Sequence, residues 1–404
     1  MNARVRSRNA AERRFKLLGL LAIGLSVAFL AFLLVNMAWK GLGGFTHTEA
    51  KVTVDFPRSD LILDPAALKG PEAKQVVGSA NFEGALSQAA VANYGEAAQD
   101  LFGGAAARAL GKALIADPSM VTRSAELWLP VASSYDVAAK SEGSPKAERM
   151  IAAIKARSAL KRTFSGDFLS ASDATDPGEV GVWGALKGSF LTIVVTMALA
   201  FPIGVLAALY LEEFAPRNRW TDLIEVSINN LAAVPSIIFG LLGLAVFLNF
   251  MHLPRSAPLV GGLTLALMTM PVIVIAGRNA IKSVPPSIRD AALGVGASKM
   301  QVVFHHVLPL ALPGVLTGTI IGMARALGET APLLMIGMRA FIATPPHGFT
   351  DPSSVLPVQI FLWSDEVGRG FIEKTSAAII VLLIFMLLMN GLAIYLRNRF
   401  EQRW

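Results

Sequence analysis

Cysteine is absent from all 404 residues, which excludes a disulfide framework, a thiolate metal site and a cysteine nucleophile. Charge is scarce as well. Asp, Glu, Lys and Arg together make up 16% of the chain, against about 25% in an ordinary soluble domain. No G-x-x-x-x-G-K-[ST] phosphate loop occurs, so the chain does not bind ATP in the usual way. The GVG of residues 294–296 is too short for a dinucleotide fingerprint and follows no predicted strand. His305 and His306 are adjacent and cannot point the same way on a helix, which argues against a metal site. The scattered Ser, His and Asp residues suggest no hydrolytic triad.

What the chain has is grease in long runs. Hydrophobic residues reach 53%, and several runs approach the roughly 20 residues needed to cross about 30 Å of hydrocarbon. Six spans are predicted: Leu17–Trp39, Ala185–Leu211, Ser227–Phe250, Leu259–Ile281, Ala311–Met338 and Ser376–Leu396. The first follows basic residues as a signal peptide would. Its apolar run is too long for that, and no A-x-A-like site closes it, so an uncleaved anchor is expected. Pro202, Pro235 and Pro271 fall inside spans and should kink them.

The net charge of +7 is concentrated at the two ends. Arg4, Arg6, Arg8, Arg13, Arg14 and Lys16 form a basic tail (residues 1–16) before the first span; Arg397, Arg399 and Arg403 follow the last. This placement fits cytoplasmic flanks under the positive-inside rule, and no nucleic-acid partner is expected because no basic region is interleaved with aromatics. With the amino terminus inside, loop 212–226 and segment 282–310 are cytoplasmic and both carry Arg or Lys. Both termini are then cytoplasmic.

Residues 40–183, between the first two spans, form a polar extracytoplasmic insertion with a mild excess of acid. Alanine-rich stretches such as FEGALSQAAVANYGEAAQDLFGGAAARALGKALIA read as helical with glycine and DPS breaks, and VTRSAELWLPVASS supplies a strand. No catalytic constellation stands out there. Residues 184–404 make up the remaining core.

The most specific stretch is VPPSIRDAALGVGASKMQVVFHHVLP, residues 284–309. Ser287 is placed to cap a helix starting near Ile288, with Asp290 in its first turn, where the helix dipole favours a carboxylate. Gly294 and Gly296 break it, and a second short helix, about Ser298–Val307, ends at Pro309. Such a helix–glycine–helix elbow is a compact knob for another protein to grip.

Here the chain resembles a known family. Asp290, Ala291 and Ala292, then three residues and Gly296, with Leu308 and Pro309 at the expected distance, are similar to the EAA loop of permease subunits in bacterial ABC importers. Aspartate replaces the first glutamate, and His306 occupies a usually aliphatic position. ARALGETAPLL (324–334), VPSIIFGLLGL (234–244) and FPIGVLAALYLEEF (201–214) narrow the resemblance to the phosphate-specific importers, PstA-type permease. It covers about residues 185–400. It implies an all-α integral membrane protein with a type I ABC-importer core of six transmembrane helices, in the bacterial inner membrane. It also implies a second homologous permease, an ATPase dimer seated on the EAA loop and an extracytoplasmic phosphate-binding protein. ATP and Mg would be used by that ATPase, with no cofactor in this chain.

Arg325 and Glu329 stand within an apolar stretch. An Arg at a helix centre costs roughly 2.5–3.5 kcal/mol on insertion scales, so it faces protein or water. On a continuous helix Gly314, Gly318, Gly322, Arg325 and Glu329 share one face, an arc of about 80°. Glycines at that spacing let membrane helices approach closely. Two readings stand together: a structural ion pair between helices, or a polar station on an anion's route, with Thr330 offering a hydroxyl. The family resemblance favours transport. Rival functions are a permease for molybdate or sulfate, a membrane-anchored sensor or scaffold, and a secondary transporter, for which no internal repeat is visible.

Overall fold

The computed structural model describes residues 3–400 apart from positions 60, 62, 71, 72 and 142. Arg403 lies outside the described residues, as do the side chains of Arg4, Arg6 and Arg8. Among the described residues five helices are long and apolar enough to cross a membrane, or six spans if one bent pair counts as one.

Helix α1 runs Ala3–Gly44, so the basic segment is the first part of a long helix and the expected span is its middle. Its apolar stretch is exposed all round, as befits a helix that faces lipid or another subunit. Only its far end packs, where glycines let it approach α17 (Arg369–Phe400). A Cβ on Gly41 would stand 2.9 Å from the Ser376 carbonyl oxygen, and one on Gly44 2.5 Å from that of Glu373.

The insertion follows at once: β1 (Thr46–Asp55), α2 (Ala73–Ser79), α3 (Phe82–Tyr94), α4 (Gly104–Ala116), β2 (Ser124–Pro130), α5 (Ser133–Lys140), α6 (Pro145–Ala156), β3 (Leu160–Phe164) and α7 (Gly166–Ser170). It is more than helical. A three-stranded antiparallel sheet of order β2-β1-β3 forms its floor. The strand expected from VTRSAELWLPVASS is β2, while β1 and β3 were not expected. In β1 the alternation turns Ala50, Val52 and Val54 inward, where the last two meet Leu86, Leu110, Leu114 and Leu129. Asn81 and Ser144 cap α3 and α6 through their side chains.

The core comprises α8 (Trp183–Leu209), α9 (Arg219–Ala232), α10 (Ser236–Gly243), α11 (Pro258–Lys282), α12 (Pro286–Gly294), α13 (Lys299–Val302), α14 (Leu308–Gly328), α15 (Ala331–Met335), α16 (Leu356–Ser364) and α17. A π turn over Tyr210–Phe214 extends α8 and another over Leu244–Phe250 extends α10. Helix α11 is the hub, packed by α8 on one side and α14 on another. Pro202 and Pro271 lie inside continuous helices. The expected span Ser227–Phe250 is instead two helices bent by 101° where Pro235 caps α10, since a proline interrupts the helical ladder. The expected span Ala311–Met338 also stops short, at Gly328. In a continuous helix the Pro332 ring would press on the carbonyl four residues back, which is that of Gly328.

The glycine stripe does what its spacing promised. Cβ atoms on Gly314 and Gly322 would come within 2.7 Å of Ala280 Cβ and 2.9 Å of Thr269 Cγ2, and one on Gly318 would overlap Ala276 Cβ. All three partners belong to α11. Gly318→Ala should therefore lower the apparent melting temperature of the purified chain by several degrees, since overpacking costs about 1–3 kcal/mol. Gly24→Ala in α1, where a Cβ meets nothing within 4 Å, should leave it unchanged.

Candidate functional site

Residues 284–309 form the expected knob, with altered details. Helix α12 begins at Pro286 with Pro285 as its cap, so Ser287 lies inside the helix and does not cap it, and Asp290 falls beyond the first turn. The chain then reverses at Gly296, whose φ of +89° suits a residue without Cβ. Ser298 caps α13 in a reciprocal box with Gln301. Asp290 and Ala291 are exposed and Ala292 is buried beneath them. Leu293, Val295 and Met300 are exposed, Val295 by 87%, so the tip is apolar and bare.

The second half of the knob does not end at Pro309. One helix runs Lys299–Gly328, passing through a π turn at Val303–Val307 just before Leu308 and Pro309. A proline lacks the N–H that a regular turn would bond to the carbonyl four residues back, and the wider π turn precedes that position. His305 and His306 lie on this turn, exposed. The second half of the knob is thus the beginning of the helix that carries Arg325.

A charge cluster ties the knob to the neighbouring spans. Arg289 donates to Glu213 Oε1 at 2.7 Å and to the Ile281 and Val284 carbonyls at 3.0 and 2.7 Å. Arg278 pairs with Glu212 at 3.3 Å and Glu225 at 2.8 Å, and Lys282 reaches Glu212 at 3.6 Å. One guanidinium therefore joins α12 to the end of α8 and to the end of α11. Sequence reasoning missed this latch, although the Glu212–Glu213 pair at the membrane end of α8, facing a loop rich in Arg and Lys, was a usable signal.

At the other end of the same helix, Arg325 occupies the last turn of α14, where the dipole favours a cation. Its Nε meets Glu329 Oε1 at 3.4 Å, with the side chains 44% and 19% exposed. The pairing was expected on a continuous helix, but Glu329 has left the helix, with φ −75° and ψ 130°. The glycines pack on α11 while Arg325, one turn further, stands clear. Thr330 follows and opens α15. The structure therefore brings Arg325, Glu329 and Thr330 together at a helix break and keeps Asp290, Ala291, Ala292 and Gly296 together at the far end.

A family described as the binding-protein-dependent transport system inner membrane component matches residues 200–404. That is half of the chain, and the chain belongs to this family. The permease is a multi-pass inner-membrane subunit, not a catalytic one. Residues 2–149 match a domain of unknown function, DUF3333. The probable ABC transporter permease protein YqgI of Bacillus subtilis is 33% identical over 202 residues, 49% of this chain and 67% of that protein. The phosphate transport system permease protein PstA of Yersinia pestis is 31% identical over 215 residues, 53% and 71% of the two chains. PstA 1 of Mycobacterium tuberculosis (strain CDC 1551 / Oshkosh) is 34% identical over 156 residues, covering 39% of this chain and 51% of that one. These relatives make the permease one of the PstA type. A solved inward-facing MetNI methionine ABC transporter is 18% identical with a TM-score of 0.44, covering 55% of this chain and 98% of that one.

The latch can be tested directly. Glu213→Gln removes the charge opposite Arg289, and hydrogen bonds to charged groups contribute about 1.5–3 kcal/mol. Amide hydrogen exchange across residues 288–297 should accelerate about tenfold or more, with the centre of α11 unchanged.

Proposed function

We propose that this permease is the membrane-spanning subunit of an ATP-driven importer for inorganic phosphate. Its α12–α13 knob is the seat of a separate ATPase dimer, which binds ATP and Mg, and this chain needs no cofactor of its own. A second homologous permease and an extracytoplasmic phosphate-binding protein complete the machine. Both termini are cytoplasmic, and residues 40–183 are on the opposite side. The PstA names of the relatives support the substrate.

The observation that carries the reading is mechanical. The second half of the knob and the arginine belong to one helix from Lys299 to Gly328, and the interval between Lys299 and Arg325 spans roughly 39 Å at 1.5 Å per residue. The tip offers Leu293, Val295 and Met300 to a cleft, with Asp290, Ala291, Ala292 and Gly296 shaping the first half and Leu308 and Pro309 the second. Closure of the ATPase dimer then displaces α14 end-on, and Arg289 carries the same displacement to α8 and α11. Alternating access follows from that movement.

At the far end Arg325 attracts the anion. Its guanidinium fork matches phosphate oxygens, and its substantial exposure leaves room for them. Glu329 moderates the hold, since an ion bound too tightly cannot leave. Thr330 contributes a hydroxyl. A permease for molybdate or sulfate would use the same parts, so substrate is decided by competition.

Cells lacking only this chain should lose uptake of labelled phosphate at low external concentration. Restoring it should return uptake that resists excess sulfate and molybdate; unchanged uptake in the deletion sinks the phosphate assignment. Arg325→Gln should cut uptake about tenfold to a hundredfold at normal membrane abundance, with Arg325→Lys in between. Normal uptake by Arg325→Gln removes the arginine from the pathway. Gly296→Val forces a branched residue to φ +89°, a strain of about 1–3 kcal/mol, and should reduce copurification of the ATPase along with uptake.

A further inference from the structure

A second cationic feature lies far from Arg325, where the inserted domain meets the membrane. A groove of about 950 Å³ opens between the end of α1, the start of α17 and strand β3, lined among others by Trp39, Lys40, Leu42, Arg162, Arg369 and Ile372. Its cations differ in how they are used. Lys140, in its wall, is buried and fully engaged: it pairs with Asp136 at 2.6 Å and Glu373 at 3.3 Å and donates to the Gly43 and Thr46 carbonyls. Lys40 and Arg162 are exposed, and no described carboxylate lies within 4 Å of either. Arg162 is held in place by a neutral partner, donating from Nε to Thr46 Oγ1 at 2.7 Å, so its charge is oriented yet uncompensated.

The apolar side of the groove faces the bilayer. Trp39, Leu42 and Ile372 are exposed, Trp39 by 84%, on the two helices whose remaining lengths are apolar enough to cross a membrane. Trp39 is one to two turns from the end of α1, at the depth where indole rings sit among headgroups. Phe164, exposed on β3, pairs opposite Thr46 and marks the same level. Cations above, an interfacial aromatic beside them and aliphatic side chains below match one ligand: a phosphate diester on a glycerol that carries acyl chains. A free anion would leave the apolar half unused.

We propose that this groove binds the headgroup of an anionic phospholipid from the leaflet adjoining the inserted domain. The lipid bridges α1, α17 and β3, fastening the domain to the membrane surface. This assignment is independent of which anion the permease carries.

The test is native mass spectrometry of the full chain in detergent, titrated with phosphatidylglycerol or phosphatidylcholine. Phosphatidylglycerol should be retained in preference to phosphatidylcholine. Each cation near an anionic surface contributes a factor of about five, so Lys40→Gln with Arg162→Gln should lower that retention about twentyfold. Arg149→Gln with Lys155→Gln, elsewhere on the domain, should leave it unchanged. Should the double variant fail to fold, Lys40→Gln alone, on the exposed end of α1, should show about a fivefold loss. Equal retention of the two lipids, or unchanged retention in the groove variants, overturns the proposal. Displacement of the lipid by excess inorganic phosphate also overturns it and reassigns the groove to a free anion.

Discussion

Helix α11 can be flanked closely by two others only because glycine recurs wherever the backbones come nearest. On the α8 side, Gly262 faces Val195, Gly204 faces Ile273 and Gly277 faces Ala208; on the α14 side, Gly314, Gly318 and Gly322 face Ala280, Ala276 and Thr269. The glycine belongs to whichever helix stands opposite a branched or methyl-bearing side chain. In hydrocarbon there is no apolar surface to hide from water, so helices associate through such contact and through hydrogen bonds. Three threonines of this interface are settled locally, whereas the buried Thr192 hydroxyl has no partner among the described residues. Thr264 and Thr269 donate to carbonyls four residues back, and Thr196 does the same while lying 3.3 Å from the Gly262 carbonyl. Everything else in the core takes its position from this three-helix block.

The latch on the knob side is a consequence. Glu212 and Glu213 leave α8, and Arg278 and Lys282 end α11, at places fixed by the packing above them. Arg289 on α12 then finds a carboxylate and two carbonyls at once. Such a partly buried pair contributes little as a source of stability, because desolvation offsets much of the attraction. Its value is directional: guanidinium geometry sets the angle at which the knob leaves the block. Apolar contact completes the joint, with Ala292, Val302, Val303 and Val307 belonging to the same buried cluster as Ile273 and Ile281.

The legible parts of this chain were those governed by period and composition. Apolar runs located the five helices long enough to cross a membrane, the glycine stripe gave the face of α14 that meets α11, and Gly296 gave the turn of the knob. Errors arose where one proline outweighed a long apolar run. Residues 227–250 read as one span, yet Pro235 breaks it, and Pro332 ends α14 before Glu329 can join it. Strand β1 was missed, although THTEAKVTVD alternates in the way a half-buried strand does. The Arg289–Glu213 contact joins positions 76 apart, and no local pattern specifies such a partner. The Arg325–Glu329 pair was found from its spacing even though the helix assumed for it ends between the two.

These two proline-made breaks are neighbours in space. A Cβ on Gly240 would stand 2.7 Å from Pro332 Cα and 2.9 Å from Met335 Cβ, so α10 lies directly on α15. At the end nearest the inserted domain the spans are clamped by a collar of rings, Phe45, Phe168, Trp363 and Phe371, in successive contacts of 5.4, 6.4 and 6.3 Å. Buried Lys374 reaches across it, with Nζ 4.9 Å from the Phe168 ring and donating to the Gly44 carbonyl. At the opposite end they are joined by the latch. Irregular backbone at membrane depth is tolerated only where protein buries it or water reaches it. Arg325 stands exposed beside the α14 break, where its charge requires contact with protein or water in place of lipid.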